Sequence, residues 1–177
     1  MRSAIHKILL PLLCLSFGCT HQSGVHPEHP AFTVLDKART GLDFSNTLHP
    51  TNNFNVFDYM YFDNGGGIGA GDFNGDGKID LFFAANQGPN RLYLNTGNMH
   101  FKDVTEEARI PQDGGWSTGV SVVDINNDGL LDIYICKVGR LPGLPVSQNE
   151  LLICQGIDSN GVPTYKDEAK EDRKSVV

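Results

Sequence analysis

The chain has 177 residues, 40% of them hydrophobic and 20% charged, with 14 Lys and Arg against 21 Asp and Glu for a net charge of −7. Those shares describe a folding chain about one domain long rather than a disordered one. The acidic balance argues against a nucleic-acid partner, which needs clustered Lys and Arg, and no apolar run reaches the ~20 residues of a spanning helix.

Residues 1–18 read as an export signal. Arg2, His6 and Lys7 make a basic start, and the run Ile8–Phe17 is apolar except at Pro11, Cys14 and Ser16. Ser16-Phe17-Gly18-Cys19 then resembles a bacterial lipobox, which implies that Cys19 becomes the lipid-bearing first residue of the mature chain. Ser16 stands where that motif usually has Leu, and the alternative is an ordinary cleaved signal peptide. The first reading makes an outer-membrane or cell-surface lipoprotein, held to the membrane by its lipid alone; the second makes a secreted protein. Residues 19–31 are polar and aperiodic, so His21, His26 and His29 are assigned to a flexible tether rather than to a metal site.

Residues 32–66 form a lead-in, in which the loose alternation of Phe54–Asp63 predicts a strand of a partial unit. An internal repeat follows. Gly67–Phe83 recurs as Gly119–Ile135, offset by 52; Asn90–Gly97 recurs as Asn149–Gly156, offset by 59; Phe101-Lys102-Asp103 recurs as Tyr165-Lys166-Asp167, offset by 64. The offsets grow through insertions in turn-rich stretches, Gly139–Val146 and Ile157–Val162, while the apolar runs match. Each copy, 67–110 and 111–171, parses into four short strands, in the first copy at about 67–71, 79–85, 91–95 and 100–104. Four strands per unit make a β-propeller blade, so the expected class is all-β, with about two four-stranded blades and an incomplete ring.

Between the first two strands of each copy lies one nine-residue plan: Asp72-x-Asn74-x-Asp76-Gly77-x-x-Asp80 and Asp124-x-Asn126-x-Asp128-Gly129-x-x-Asp132. Side-chain oxygens at positions 1, 3, 5 and 9, with the backbone carbonyl of Lys78 or Leu130 at position 7, supply the hard donors that Ca²⁺ takes. Gly77 and Gly129 at position 6 permit the tight curl. Ile79 and Leu131 at position 8 are expected to point away and anchor each loop on its sheet. Two Ca²⁺ sites are therefore predicted. An EF-hand is excluded, because it needs Glu at position 12, where this chain has Phe83 and Ile135. Such loops would also absorb charge: residues 19–171 hold 10 Lys and Arg against 20 Asp and Glu, a net −10.

The last six residues, Asp172–Val177, resemble the translation of a sequencing adapter, which predicts a natural chain continuing past 171; the alternative is a polar tail. Among the remaining cysteines, Cys136 and Cys154 are expected on neighbouring strands, as buried thiols or as a disulfide.

A Gly-rich strand, an Asp-x-Asn-x-Asp-Gly-x-x-Asp loop and a following apolar strand together resemble FG-GAP (VCBS-type) repeats, the blades of integrin-like β-propellers. Gly65–Gly77 and Gly115–Val120 are similar to the long exported VCBS-repeat proteins of bacteria. The resemblance covers residues 32–171 and implies extracellular, calcium-stabilised scaffolding that binds a protein or glycan.

Catalytic patterns are weak. His49 and His100 are isolated, Gly65–Gly69 precedes a strand rather than the helix a phosphate loop needs, and no nucleophile motif is present. Trp116 fits either a blade junction or a ligand surface. The function expected is non-catalytic, with an accessory segment of a larger secreted enzyme, for example one acting on polysaccharide, as the alternative.

Overall fold

The structure is a computed structural model that describes residues 32–169. The predicted export signal, the predicted tether with Cys19 and its histidines, and the adapter-like end lie outside the described residues. Alternating apolar residues build two antiparallel sheets. The first comprises β1 (Ile68–Gly71), β2 (Asp80–Phe83), β3 (Arg91–Gly97) and β4 (His100–Asp103), paired in that order. The second repeats the plan with β5 (Trp116–Val123), β6 (Asp132–Val138), β7 (Glu150–Ile157) and β8 (Pro163–Asp167). This is the all-β, two-blade arrangement that the repeat predicts, without a closed barrel. The single helical turn described, α1 (Lys37–Thr40), is capped by Asp36, whose side chain accepts the Arg39 N–H.

Every second residue of the central strands faces the core. Phe82 lies opposite Leu92 across β2 and β3, and Ile133 lies opposite Leu152 across β6 and β7; all four are fully buried. Each such side chain contributes roughly 1.5–3 kcal/mol by leaving water. Both sheets feed one cluster, which also takes in Phe73, Val104 and Tyr165.

The sheets meet where β1 runs beside β5, and the glycine run explains how. A Cβ on Gly69 would sit 2.7 Å from Val122 Cγ2 and 2.8 Å from Val120 Cγ1, and one on Gly71 would sit 2.7 Å from Leu131 Cδ1. Glycine at alternate positions of β1 lets the two sheets approach to backbone distance. Polar ties reinforce the seam: Ser117 donates its N–H to the Ala85 carbonyl (3.1 Å), and Asn86 donates its side-chain amide to the Ser117 carbonyl (2.8 Å).

The lead-in departs from expectation. Phe54–Asp63 is a succession of turns and no strand; the segment contributes only an isolated bridge from Phe54 back to Thr51. Asn55 is the physical reason, since its side-chain oxygen accepts the Phe57 N–H and its carbonyl accepts the Tyr59 N–H, both at 2.9 Å. Such local bonds compete with a ladder. The apolar spacing serves an aromatic cluster instead, with the rings of Phe54, Tyr59 and Phe62 at 5.3, 5.7 and 5.4 Å from Trp116. Trp116 is buried there, which decides its role as packing.

Cys136 and Cys154 are both free; Cys154 is buried, but Cys136 is exposed, contrary to the expectation of two buried thiols. In the β6–β7 register Ile135 faces Glu150 and Ile133 faces Leu152, so the two cysteines are staggered along the ladder. Five residues of stagger is about 16 Å, well beyond disulfide reach. Among the described residues, no helix is long and apolar enough to cross a membrane.

Candidate metal-binding loops

Each nine-residue loop joins the first two strands of its sheet, and the two loops share one hydrogen-bond plan. In the first, Asp72 Oδ1 accepts the Asp76 N–H (3.0 Å), and Oδ2 accepts the Gly77 N–H (2.8 Å). In the second, Asp124 Oδ1 accepts the Asp128 N–H (3.1 Å), and Oδ2 accepts the Gly129 N–H (2.9 Å). Asn74 and Asn126 add their amide oxygens to the same N–H groups, at 3.2 and 3.1 Å. The side-chain oxygens of positions 1 and 3 thereby meet at the backbone N–H of position 5, while those of position 5 accept the N–H of position 7.

The curl needs left-handed backbone at two places. Gly77 and Gly129 have φ of 84° and 89°, and Gly75 and Asn127 at position 4 have φ of 73° and 60°. Glycine and asparagine are the residues that tolerate this region best.

Position 9 has a second duty that the spacing alone does not reveal. Asp80 is fully buried; its Oδ2 accepts the Phe73 N–H (2.9 Å) and its Oδ1 the Asn95 N–H (2.7 Å). Asp132 repeats this with Ile125 (3.0 Å) and Cys154 (2.8 Å). These carboxylates staple the start of each loop to the third strand of its sheet. Burial pushes the Asp80 carboxyl above its usual range; the two backbone bonds oppose that, and the charges of Asp76 and Asp72 add to it.

Residues 72–135 match the FG-GAP-like repeat. The match begins on Asp72, the first position of the first loop, and ends three residues beyond Asp132, so it takes in both loops. Among curated proteins no match is found. An FG-GAP-like repeat supports a propeller-like scaffold domain, in agreement with the two sheets.

Within the matched segment the two loops differ in charge. Lys78 Nζ lies 2.7 Å from Asp76 Oδ2 in the first. Leu130 occupies the same position in the second, where Asp128 Oδ2 takes only the Asn126 side-chain amide, at 2.8 Å. Among the described residues no ion pair reaches Asp124 or Asp128. The donors throughout are hard oxygens, which suit Ca²⁺ rather than Zn²⁺ or Cu²⁺. Among the described residues no three His, Cys, Asp or Glu side chains converge as a metal cluster. Any cation held here would therefore need the amide oxygens of Asn74 and Asn126 and backbone carbonyls as well as carboxylates.

Position 8 corrects one expectation. Leu131 packs against the core and fills the space beside Gly71, as an anchor should. Ile79 does not; it is 56% exposed. The reason is the neighbouring sheet, which Leu131 meets and Ile79 lacks. His49 and His100 are both exposed and separate from the loops.

Proposed function

We propose that the chain is a non-catalytic, calcium-binding scaffold segment of an exported, lipid-anchored surface protein, whose inter-strand loops meet a protein or glycan. The observation that carries the reading is the duplicated bond plan. Asp72 and Asp124 each have both oxygens fixed by backbone N–H groups, and every such oxygen keeps a second lone pair for a cation. Asn74, Asp76 and the Lys78 carbonyl would complete the first site, with Asn126, Asp128 and the Leu130 carbonyl in the second. Asp80 and Asp132 would contribute through lone pairs that their backbone bonds leave over. Bound calcium neutralises crowded carboxylates, and its binding energy becomes folding energy because the unfolded chain has no preformed cage.

Thermal unfolding of the full chain tests this directly. At calcium about 100-fold above Kd, each site adds about 2.7 kcal/mol, worth some 5–10 °C at roughly 2–4 °C per kcal/mol. Asp124→Ala should remove the share of the second loop, and Asp72→Ala that of the first. Identical melting curves in millimolar calcium and in chelator would overturn the proposal.

A further inference from the structure

A cleft of about 390 Å³ opens beside the start of β7, lined in part by Asp113, Ser147, Glu150 and Asp167. It is distinct from the calcium loops. Asp132 and Lys137 are five residues apart on β6, about 16 Å, and the cleft lies at the Lys137 end.

Comparing the two repeats shows how it arises. Arg91 on β3 faces Phe83, and Glu150 on β7 faces Ile135, so the two residues hold the same place in their sheets. Arg91 pairs with Asp103 at 3.3 Å. The second sheet keeps the acid, as Asp167, but replaces the arginine by glutamate. Lys137, where the first repeat has Ala85, enters from β6 and bonds Glu150 Oε1 at 2.6 Å and Asp113 Oδ1 at 2.5 Å. Two carboxylates thus share one buried ammonium, and Asp167 adds its negative charge nearby.

The balance is incomplete at one atom. Glu150 is 4% exposed, and its Oε2 is buried with no hydrogen-bond partner. Such an orphan acceptor is expensive, and native structures normally satisfy it. Burial pushes the Glu150 carboxyl up to about 7, against the opposing hydrogen bond and charge of Lys137, while Asp113 and Asp167 add to the rise.

We propose that this cleft binds an organic cation bearing N–H donors, a guanidinium or primary ammonium group, with Glu150 as its buried acceptor and Asp113 and Asp167 at the rim. The excess of carboxylate over ammonium selects a cation over a neutral sugar. Lys137 already holds the point where the Asp113 and Glu150 oxygens meet, which disfavours a metal ion there and favours an organic cation at the rim. The cleft lining has no aromatic side chain, so a quaternary ammonium, which lacks donors and relies on π faces, does not fit. The planar fork of a guanidinium matches a carboxylate best. The proposal stands on the fold and needs neither calcium nor the scaffold reading.

Calorimetric titration of the full chain with argininamide tests it, once in calcium and once in chelator, so that failure of the calcium reading is separately visible. Saturable binding is expected in both, weakened at least about tenfold by Glu150→Gln. Butylamine should compete and tetramethylammonium should not. Affinity should rise between pH 6 and 8 as Glu150 ionises, and this pH dependence should vanish in the variant. Asp113→Asn, which keeps its bond to the Gly115 N–H, gives a milder loss and serves if Glu150→Gln does not fold. An argininamide carried in a short peptide that binds tighter than the free amide would place the natural cation on a polypeptide. No saturable binding, equal affinity in wild type and variants, or equal binding of tetramethylammonium would overturn the proposal.

Discussion

Asp80 accepts the backbone N–H of Asn95 at 2.7 Å from a fully buried position. Through that bond a residue of the first loop holds the third strand of the sheet, and Asp132 holds Cys154 in the same way. Each bond therefore ties its loop to its sheet. Replacing either aspartate by Ala leaves one buried and one part-buried N–H group without its partner, at about 1–3 kcal/mol each. Asp80→Ala and Asp132→Ala should each cost about 2–5 kcal/mol in urea unfolding, measured in chelator so that metal plays no part. A loss under about 1 kcal/mol would show that these carboxylates have no structural duty.

The glycine run in front of the first loop makes a graded prediction. A Cβ on Gly66 would strike the backbone carbonyl of Ala84, which cannot swing aside. On Gly69 it would meet the side chains of Val120 and Val122. Gly69→Ala should cost about 1–3 kcal/mol by overpacking, and Val122→Ala should recover part of it in the double mutant. Gly66→Ala should cost more and find no such rescue. Denaturant midpoints of these four variants and the wild type decide this.

Position 2 of the two loops carries Phe73 and Ile125, which the repeat treats as equivalents. Phe73 is 1% exposed within the core, whereas Ile125 is 55% exposed. Phe73→Ala is expected to lose about 3–5 kcal/mol and Ile125→Ala less than about 0.5 kcal/mol. Equal losses would mean that the second position is covered as the first one is.

Glu150 makes stability depend on pH. Its carboxyl is raised from 4.5 to about 7 in the fold, so the folded state binds a proton that the unfolded state releases. That contribution is fully present below about pH 4.5 and is lost as pH rises to about 7. Glu150→Gln removes the titration. Its melting temperature relative to wild type should therefore improve steadily from pH 5 to 8; a difference constant across that range would contradict the assignment.

Much of this is legible in the sequence alone. Offsets of 52, 59 and 64 place eight strands in two copies, because apolar alternation is a local property that survives insertion in turns. The Asp-x-Asn-x-Asp-Gly spacing likewise prescribes its own curl, since its Asx bonds reach only four or five residues along the chain. These features depend on near neighbours, and near neighbours are what a sequence displays.

Tertiary structure decided the rest. Phe54–Asp63 has the alternation of a strand, but Asn55 turns it and Trp116 collects its rings. Cys136 and Cys154 lie on adjacent strands, yet register keeps them apart. The ninth-position aspartates look like ligands in the sequence and prove also to be buried staples, because Asn95 and Cys154 reach them only across the sheet. Ile79 and Leu131 share a place in the repeat and differ in burial, since only one of them has a sheet beside it. The Lys137–Glu150 pair joins residues 13 apart with a loop between them. Its orphan oxygen exists only once burial has removed water, and burial is a property of the assembled sheets.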